Sequence, residues 1–190
     1  MKIINYYRLI SAFFSATIPL SMKYKTYSHD DFKNKKIILK PGNFIVTHSN
    51  NLFDLLIHLF TGSPWNHAAL IVSSNGTLIE LEESGIRERS IKEYANTKFH
   101  LIDISLSPED RKQIVAYAKY MLKKHARYGF LTIISIIFKI ITHSRLIVKL
   151  DGTLICSEFV ANALSEGGII WDKDTSLITP SDLYQKFIHN

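Results

Sequence analysis

The feature that most limits the fold of this chain is the pair Asn75-Gly76, set between two apolar runs, His67 to Val72 and Thr77 to Leu81. Asn-Gly accepts positive backbone φ at low cost, and between apolar runs it is the strongest short-range signal for an antiparallel hairpin. A chain with that signal must build an antiparallel sheet and cover at least one face of it. Phe44 to Thr47, a β-branched and aromatic run behind the turn signal Pro41-Gly42, predicts a further strand, and Phe99 to Ile104 another.

The covering layer is expected to be helical. Ser107-Pro108-Glu109-Asp110 combines a hydroxyl cap, proline at the first helical position and acids in the positively polarised first turn. The helix it opens is expected to run to about His125, with Ile114, Ala118, Met121 and Leu122 on its apolar face. A second helix is expected from Cys156 to Glu166, stopped by Gly167-Gly168, and Thr179-Pro180-Ser181-Asp182 opens a short last one. Leu52, Leu55, Leu56 and Leu59 recur at helical spacing before Gly62-Ser63-Pro64. Phe130 to Ile141 is apolar almost all round, which suits a helix buried between layers or lying against a membrane, and at this length burial is the preferred reading. The class is therefore α+β, a small antiparallel sheet packed against helices.

A chain of 190 residues fits one core. Residues 1-36 read as an N-terminal apolar helix with a polar connector, and 37-190 as the main domain. The apolar stretch Leu9 to Leu20 is flanked by Lys2, Arg8, Lys23 and Lys25, and Pro19 ends any helix in it. It is shorter than the ~20 residues of a membrane span. Two readings stay open for the stretch, the core of an export signal or an amphipathic or buried N-terminal helix, so export and membrane association through it both stay open.

With 46% hydrophobic and 21% charged residues the chain is neither disordered nor polytopic. Its formal charge of +6 is spread along the sequence, apart from short clusters at Lys33, Lys35, Lys36 and Lys40 and at Lys123, Lys124 and Arg127. No nucleic-acid motif accompanies them, so they read as solvated faces and nucleic acid is not an expected partner.

The one cysteine excludes an internal disulfide and a zinc site of several cysteines. Cys156 lies where an extended approach enters a helix, so its sulfur sits in the first turn. A helix N-terminus and a nearby imidazolium both favour the thiolate, which is the nucleophile, and first-turn amides can hold an oxyanion. The competing expectation is a core thiol, because Cys156 is in phase with Val160, Ala163 and Gly167.

His67 opens a strand, where its ring is expected at the sheet's edge within reach of solvent and substrate, as a general base requires. The alternative is a structural histidine. Glu80 and Glu82 share one face of the paired strand, and across a tight hairpin either carboxylate is placed to approach that ring. Such an acid would fix the imidazole's tautomer and stabilise its charged form. The alternative is a pair of solvated glutamates.

These pieces fall in a familiar order. Pro41-Gly-Asn-Phe-Ile-Val46, Ser63-Pro-Trp-Asn-His-Ala-Ala-Leu-Ile-Val72, Leu78-Ile-Glu-Leu81, Tyr128-Gly129, Cys156-Ser-Glu-Phe-Val160 and Thr179-Pro-Ser-Asp-Leu183 resemble the permuted papain-like hydrolases. These are the circularly permuted relatives of the NlpC-type cell-wall peptidases, and the YiiX-like group is the most similar. The resemblance spans about residues 40 to 185, and the histidine precedes the cysteine, which is the permuted order. It implies a papain-like α+β fold, with Cys156 as nucleophile, His67 as base and Glu80 as the base's polar partner, and it requires no metal or organic cofactor. The implied activity is that of a cysteine hydrolase or acyltransferase working through a thioester, on a peptidoglycan-like peptide or on a lipid acyl bond. The apolar segments Leu9 to Leu20 and Phe130 to Ile141 speak for the lipid and for peripheral membrane contact. The non-enzymatic alternative is a papain-like scaffold that binds a membrane or protein partner. The chain departs from the family pattern at Asn43, usually aspartate, at Asn66, usually serine, and at Gly129, where an aspartate is common.

Overall fold

In the computed structural model the described residues are 25–26, 37–48, 63–95, 97–129 and 153–188. The expected helices around Leu9 to Leu20, Leu52 to Leu59 and Phe130 to Ile141 lie outside them. Among the described residues no helix is long and apolar enough to cross a membrane.

Six strands form one sheet: β1 (Lys25–Thr26), β2 (Phe44–Thr47), β3 (His67–Ile71), β4 (Thr77–Glu82), β5 (Gly85–Ser90) and β6 (Lys98–Ile102), in the order β1-β6-β2-β3-β4-β5 with every neighbour antiparallel. β2 and β3 are central and buried along their whole length, which is why both read as nearly unbroken apolar runs. The expected hairpin joins β3 to β4. Its reversal spans Ser73 to Gly76, where the Gly76 N–H donates to the Ser73 carbonyl at 3.1 Å, Gly76 has φ +92°, and the Asn75 side chain accepts from the Thr77 N–H at 3.0 Å.

Three helices follow the expected starts: α1 (Pro108–Lys123), α2 (Cys156–Glu166) and α3 (Pro180–Ile188). α1 opens on a reciprocal cap between Ser107 and Asp110, and Thr179 and Asp182 bond in the same way ahead of α3. α1 ends two residues short of the expected His125. His125 takes φ 52°, and the His125 and Ala126 amides bond back to the Leu122 and Met121 carbonyls, a Schellman stop with histidine where glycine is usual. α2 stops in the same way with the expected Gly168, at φ +85°.

The two faces of the sheet carry separate apolar clusters. Phe44, Val46, Ala68, Leu70, Ile79 and Leu81 pack beneath the helices against Ile114, Phe159, Val160 and Leu183. On the opposite face Ile45, Ala69, Ile71, Leu78 and Phe99 pack with Ile91 and Tyr94. Strand alternation puts His67 and Glu80 on this second face with Ala69 and Leu78. A parallel two-residue pair, β7 (Arg127–Tyr128) with β8 (Thr153–Leu154), feeds the chain into α2, the extended approach expected ahead of Cys156.

β5 was not among the expected strands. It contributes Arg87 opposite Glu80 and Arg89 opposite Leu78, and a one-turn 3₁₀ helix over Ile91–Tyr94 follows it.

Candidate active site

His67 begins β3 and Cys156 begins α2, and α2 packs across β3 and β4. This scaffold brings Cys156, His67 and Glu80 into one neighbourhood. Cys156, at the start of α2, acts on the His67 ring and favours its charged form, and Glu80 does the same from the hairpin partner strand. His67 Nε2 stands 3.0 Å from Glu80 Oε2. Glu80 therefore makes the contact, although Ala69 is its direct partner in the β3–β4 ladder. Extending that register puts His67 opposite residue 82, so the bond to Glu80 is a diagonal one, of the kind the twist of a sheet brings within reach of long side chains.

The glutamate is buried completely. Its Oε2 also accepts the hydroxyl proton of Tyr94, from the 3₁₀ turn. Its Oε1 faces Arg89 Nε at 3.2 Å and Arg87 Nε at 3.4 Å. Glu82 pairs with the same two guanidinium groups, with Arg89 Nη1 at 3.4 Å and with Arg87 Nη2.

These contacts set the charge states. Burial by itself would raise the Glu80 carboxyl, but the hydrogen bond and charge of His67, the Tyr94 hydroxyl and the Arg89 charge outweigh it and bring the carboxyl to about 2. For His67, burial would disfavour the charged ring, yet Cys156 and Glu80 together hold it well above 6.5. Tyr94 is raised by burial and by the Glu80 charge, so it remains a donor. Glu82 is raised by burial and by repulsion from Glu80. An ionised carboxylate only accepts, so the His67–Glu80 bond puts the proton on Nε2 and leaves Nδ1 as the ring's basic nitrogen.

One expectation is not met. The ring was expected at an edge open to solvent, whereas His67 is 6% exposed and Cys156 1%. The residues that lead into β3 are packed inside: Trp65 lies against Tyr184 of α3, with ring centroids 5.2 Å apart, and Asn66 is fully buried. A surface cavity of about 540 Å³ lies away from the site, between Pro41 and Val72 at the other end of the central strands and the side of α1.

The start of α2 carries no side-chain cap, because Ile155 offers no acceptor to the first-turn amides. Ser157 anchors that turn by donating to the Ile178 carbonyl at 2.6 Å. Ligand atoms of His67, Glu80 and Glu82 lie within 4.8 Å of one another, close enough for a metal ion. The charge balance opposes one, because Arg87 and Arg89 already neutralise both carboxylates.

Arg87, Arg89 and Tyr94 were not among the expected site residues. Ser90-Ile-Lys-Glu93 is a capping-box spacing and marks the turn that carries Tyr94, since the Ser90 side chain and the Glu93 carboxylate bond reciprocally there. Nothing local marks the two arginines.

Asn43, a departure from the family pattern, is bonded at the far end of β2. Its amide donates to Asp103 Oδ1 at 2.9 Å, and its Oδ1 accepts from Arg111 Nη1 at 2.9 Å and from the Ile104 amide at 3.3 Å. Compared with known proteins, the chain matches no family model and no curated relative.

Proposed function

We propose that the protein is a cysteine-dependent hydrolase or acyltransferase of the permuted papain-like type, acting through a thioester on Cys156. The observation that carries this reading is one imidazole bonded to a fully buried carboxylate and held in its charged form by that carboxylate and by Cys156, the three side chains coming from three separate elements.

With Nε2–H held by Glu80, Nδ1 takes the Cys156 thiol proton, and the resulting imidazolium is stabilised by the carboxylate. The thiolate attacks the carbonyl carbon of an amide or ester. The oxyanion is held by first-turn amides of α2, and His67 returns its proton to the departing amine or alcohol. Water, or a second acyl acceptor, gives a proton to His67, attacks the thioester carbonyl and releases the acyl group, restoring the thiol. A peptidoglycan-like peptide and a lipid acyl bond are the two substrate classes of this reading.

The enclosure of Cys156, at 1% exposure, favours a second reading, a papain-like scaffold that keeps the three side chains as packing. Labelling with iodoacetamide separates the two. An active thiolate paired with His67 labels fast near neutral pH and in a pH-dependent way, and His67→Ala loses that fast labelling. Cys156→Ser folds normally and abolishes turnover. Slow labelling that follows free-thiol titration in both wild type and His67→Ala would leave the scaffold standing instead.

A further inference from the structure

We propose that Tyr94 is a positioning residue of this site, fixing the Glu80 carboxylate on the line to His67 Nε2 and thereby setting how strongly His67 holds its proton. The inference rests on the cysteine-hydrolase reading for its purpose, though not for its geometry.

Glu80 is pulled from two sides. Oε1 faces two cations, Arg89 at 3.2 Å and Arg87 at 3.4 Å. Oε2 has His67 and the Tyr94 hydroxyl. A guanidinium is the stronger attractor of a carboxylate, and both guanidinium groups lie toward Glu82, which shares them. Without a second donor on Oε2, the carboxylate is free to swing toward the arginines and lengthen its bond to the ring. The tyrosine opposes that swing.

The segment that carries Tyr94 is tied down for this purpose. The 3₁₀ turn is closed by the Ser90–Glu93 box, Glu93 also pairs with Arg89 at 3.1 Å, and the Arg89 guanidinium lies 5.8 Å from the centre of the Tyr94 ring. The ring itself is wedged edge-on against Phe99, with centroids 6.4 Å apart. Arg89 thus holds both the carboxylate and the turn that delivers the hydroxyl, so the donor and the acceptor move together.

The test is Tyr94→Phe, which deletes one oxygen, leaves the packing and leaves Glu80 three partners. Two readouts are needed. The first is the titration of the His67 ring by NMR. Its midpoint, well above 6.5 in wild type, falls toward 6.5 in Tyr94→Phe. The second is the iodoacetamide labelling rate of Cys156 near neutral pH, which drops about tenfold, as expected for loss of one hydrogen bond to a charged group. In a Glu80→Gln background the same tyrosine change alters neither quantity, because the hydroxyl acts through the carboxylate.

A merely structural tyrosine would lower the rate equally in both backgrounds and leave the His67 midpoint where it was. That pattern, or a midpoint that rises, overturns the proposal. If wild-type labelling proves indifferent to His67→Ala, the hydrolase reading fails, while the NMR titration still decides the part assigned to Tyr94.

Discussion

Replacing Glu80 by glutamine keeps the length of the side chain and removes its charge at a fully buried position. The structure sets the size of the loss by two routes. The carboxyl falls from an ordinary 4.5 to about 2 on folding, and at ~1.4 kcal/mol per tenfold change in proton affinity this corresponds to about 3 kcal/mol of stability at neutral pH. Breaking a buried ion pair by removing one partner costs ~3–5 kcal/mol, the same range. Glutamine replaces only one of the two acceptor oxygens, since its NH2 turns two donors toward a site whose other side is also faced by donors, from His67 and Tyr94 on one oxygen and two arginines on the other.

The pH dependence follows from the direction of the shift. A depressed folded value gives stability that is full above about 4.5 and is lost as pH falls toward 2, so the gap between wild type and Glu80→Gln should close across that window. Urea unfolding at a series of pH values between 7 and 2.5 measures it. A gap under about 1 kcal/mol at pH 7, or one that stays constant down to pH 2.5, would refute the charge assignment. The His67 side runs the other way. Its raised folded value gives stability that is present below about 6.5 and is lost as pH rises through the higher folded value, so the gap should narrow again in alkali.

Asn43→Asp sets a second carboxylate against Asp103, which now receives the Asn43 amide at 2.9 Å, and should cost about 1–3 kcal/mol in urea unfolding while leaving Cys156 labelling unchanged. Unaltered stability would show that Arg111, bonded to Asn43 Oδ1, absorbs the added charge. Gly76→Ala should cost about 1–2 kcal/mol from the left-handed backbone alone. Its Cβ would also lie 2.7 Å from Ile91 Cγ2, so a variant as stable as wild type would mean that the hairpin turn can be rebuilt.

What was legible in the sequence was what carries its own local signal. Phe44 to Thr47 is buried on both faces and is accordingly apolar up to its last residue, Thr47. α1 announces itself through Ser107, Pro108 and Asp110, and α2 ends where two glycines permit the stop. β5 was missed because Gly85-Ile-Arg-Glu-Arg-Ser90 has a single large apolar residue and reads as a charged loop. Its arginines make sense only across the sheet, where Arg87 stands opposite Glu80 and both reach its buried carboxylate. The choice between Glu80 and Glu82 was open for a related reason. Alternation gives both the same face, and only the twist of β3 against β4 selects the diagonal neighbour.

The same distinction bears on why the ionic cluster exists. A closed core is made at least as stable by apolar side chains as by an enclosed ion pair, because desolvating the charges cancels most of their attraction. Here a hairpin, an edge strand and a 3₁₀ turn converge on one carboxylate with no access to water, and His67, Tyr94 and Arg89 keep it ionised. Packing alone gives no reason for that arrangement, since leucine at 80 and phenylalanine at 94 would fill the space at lower cost. Holding one imidazole charged beside a sulfur at the start of a helix does give a reason, because in such a dry setting fixed charges act on a neighbouring ring with far less screening than in water.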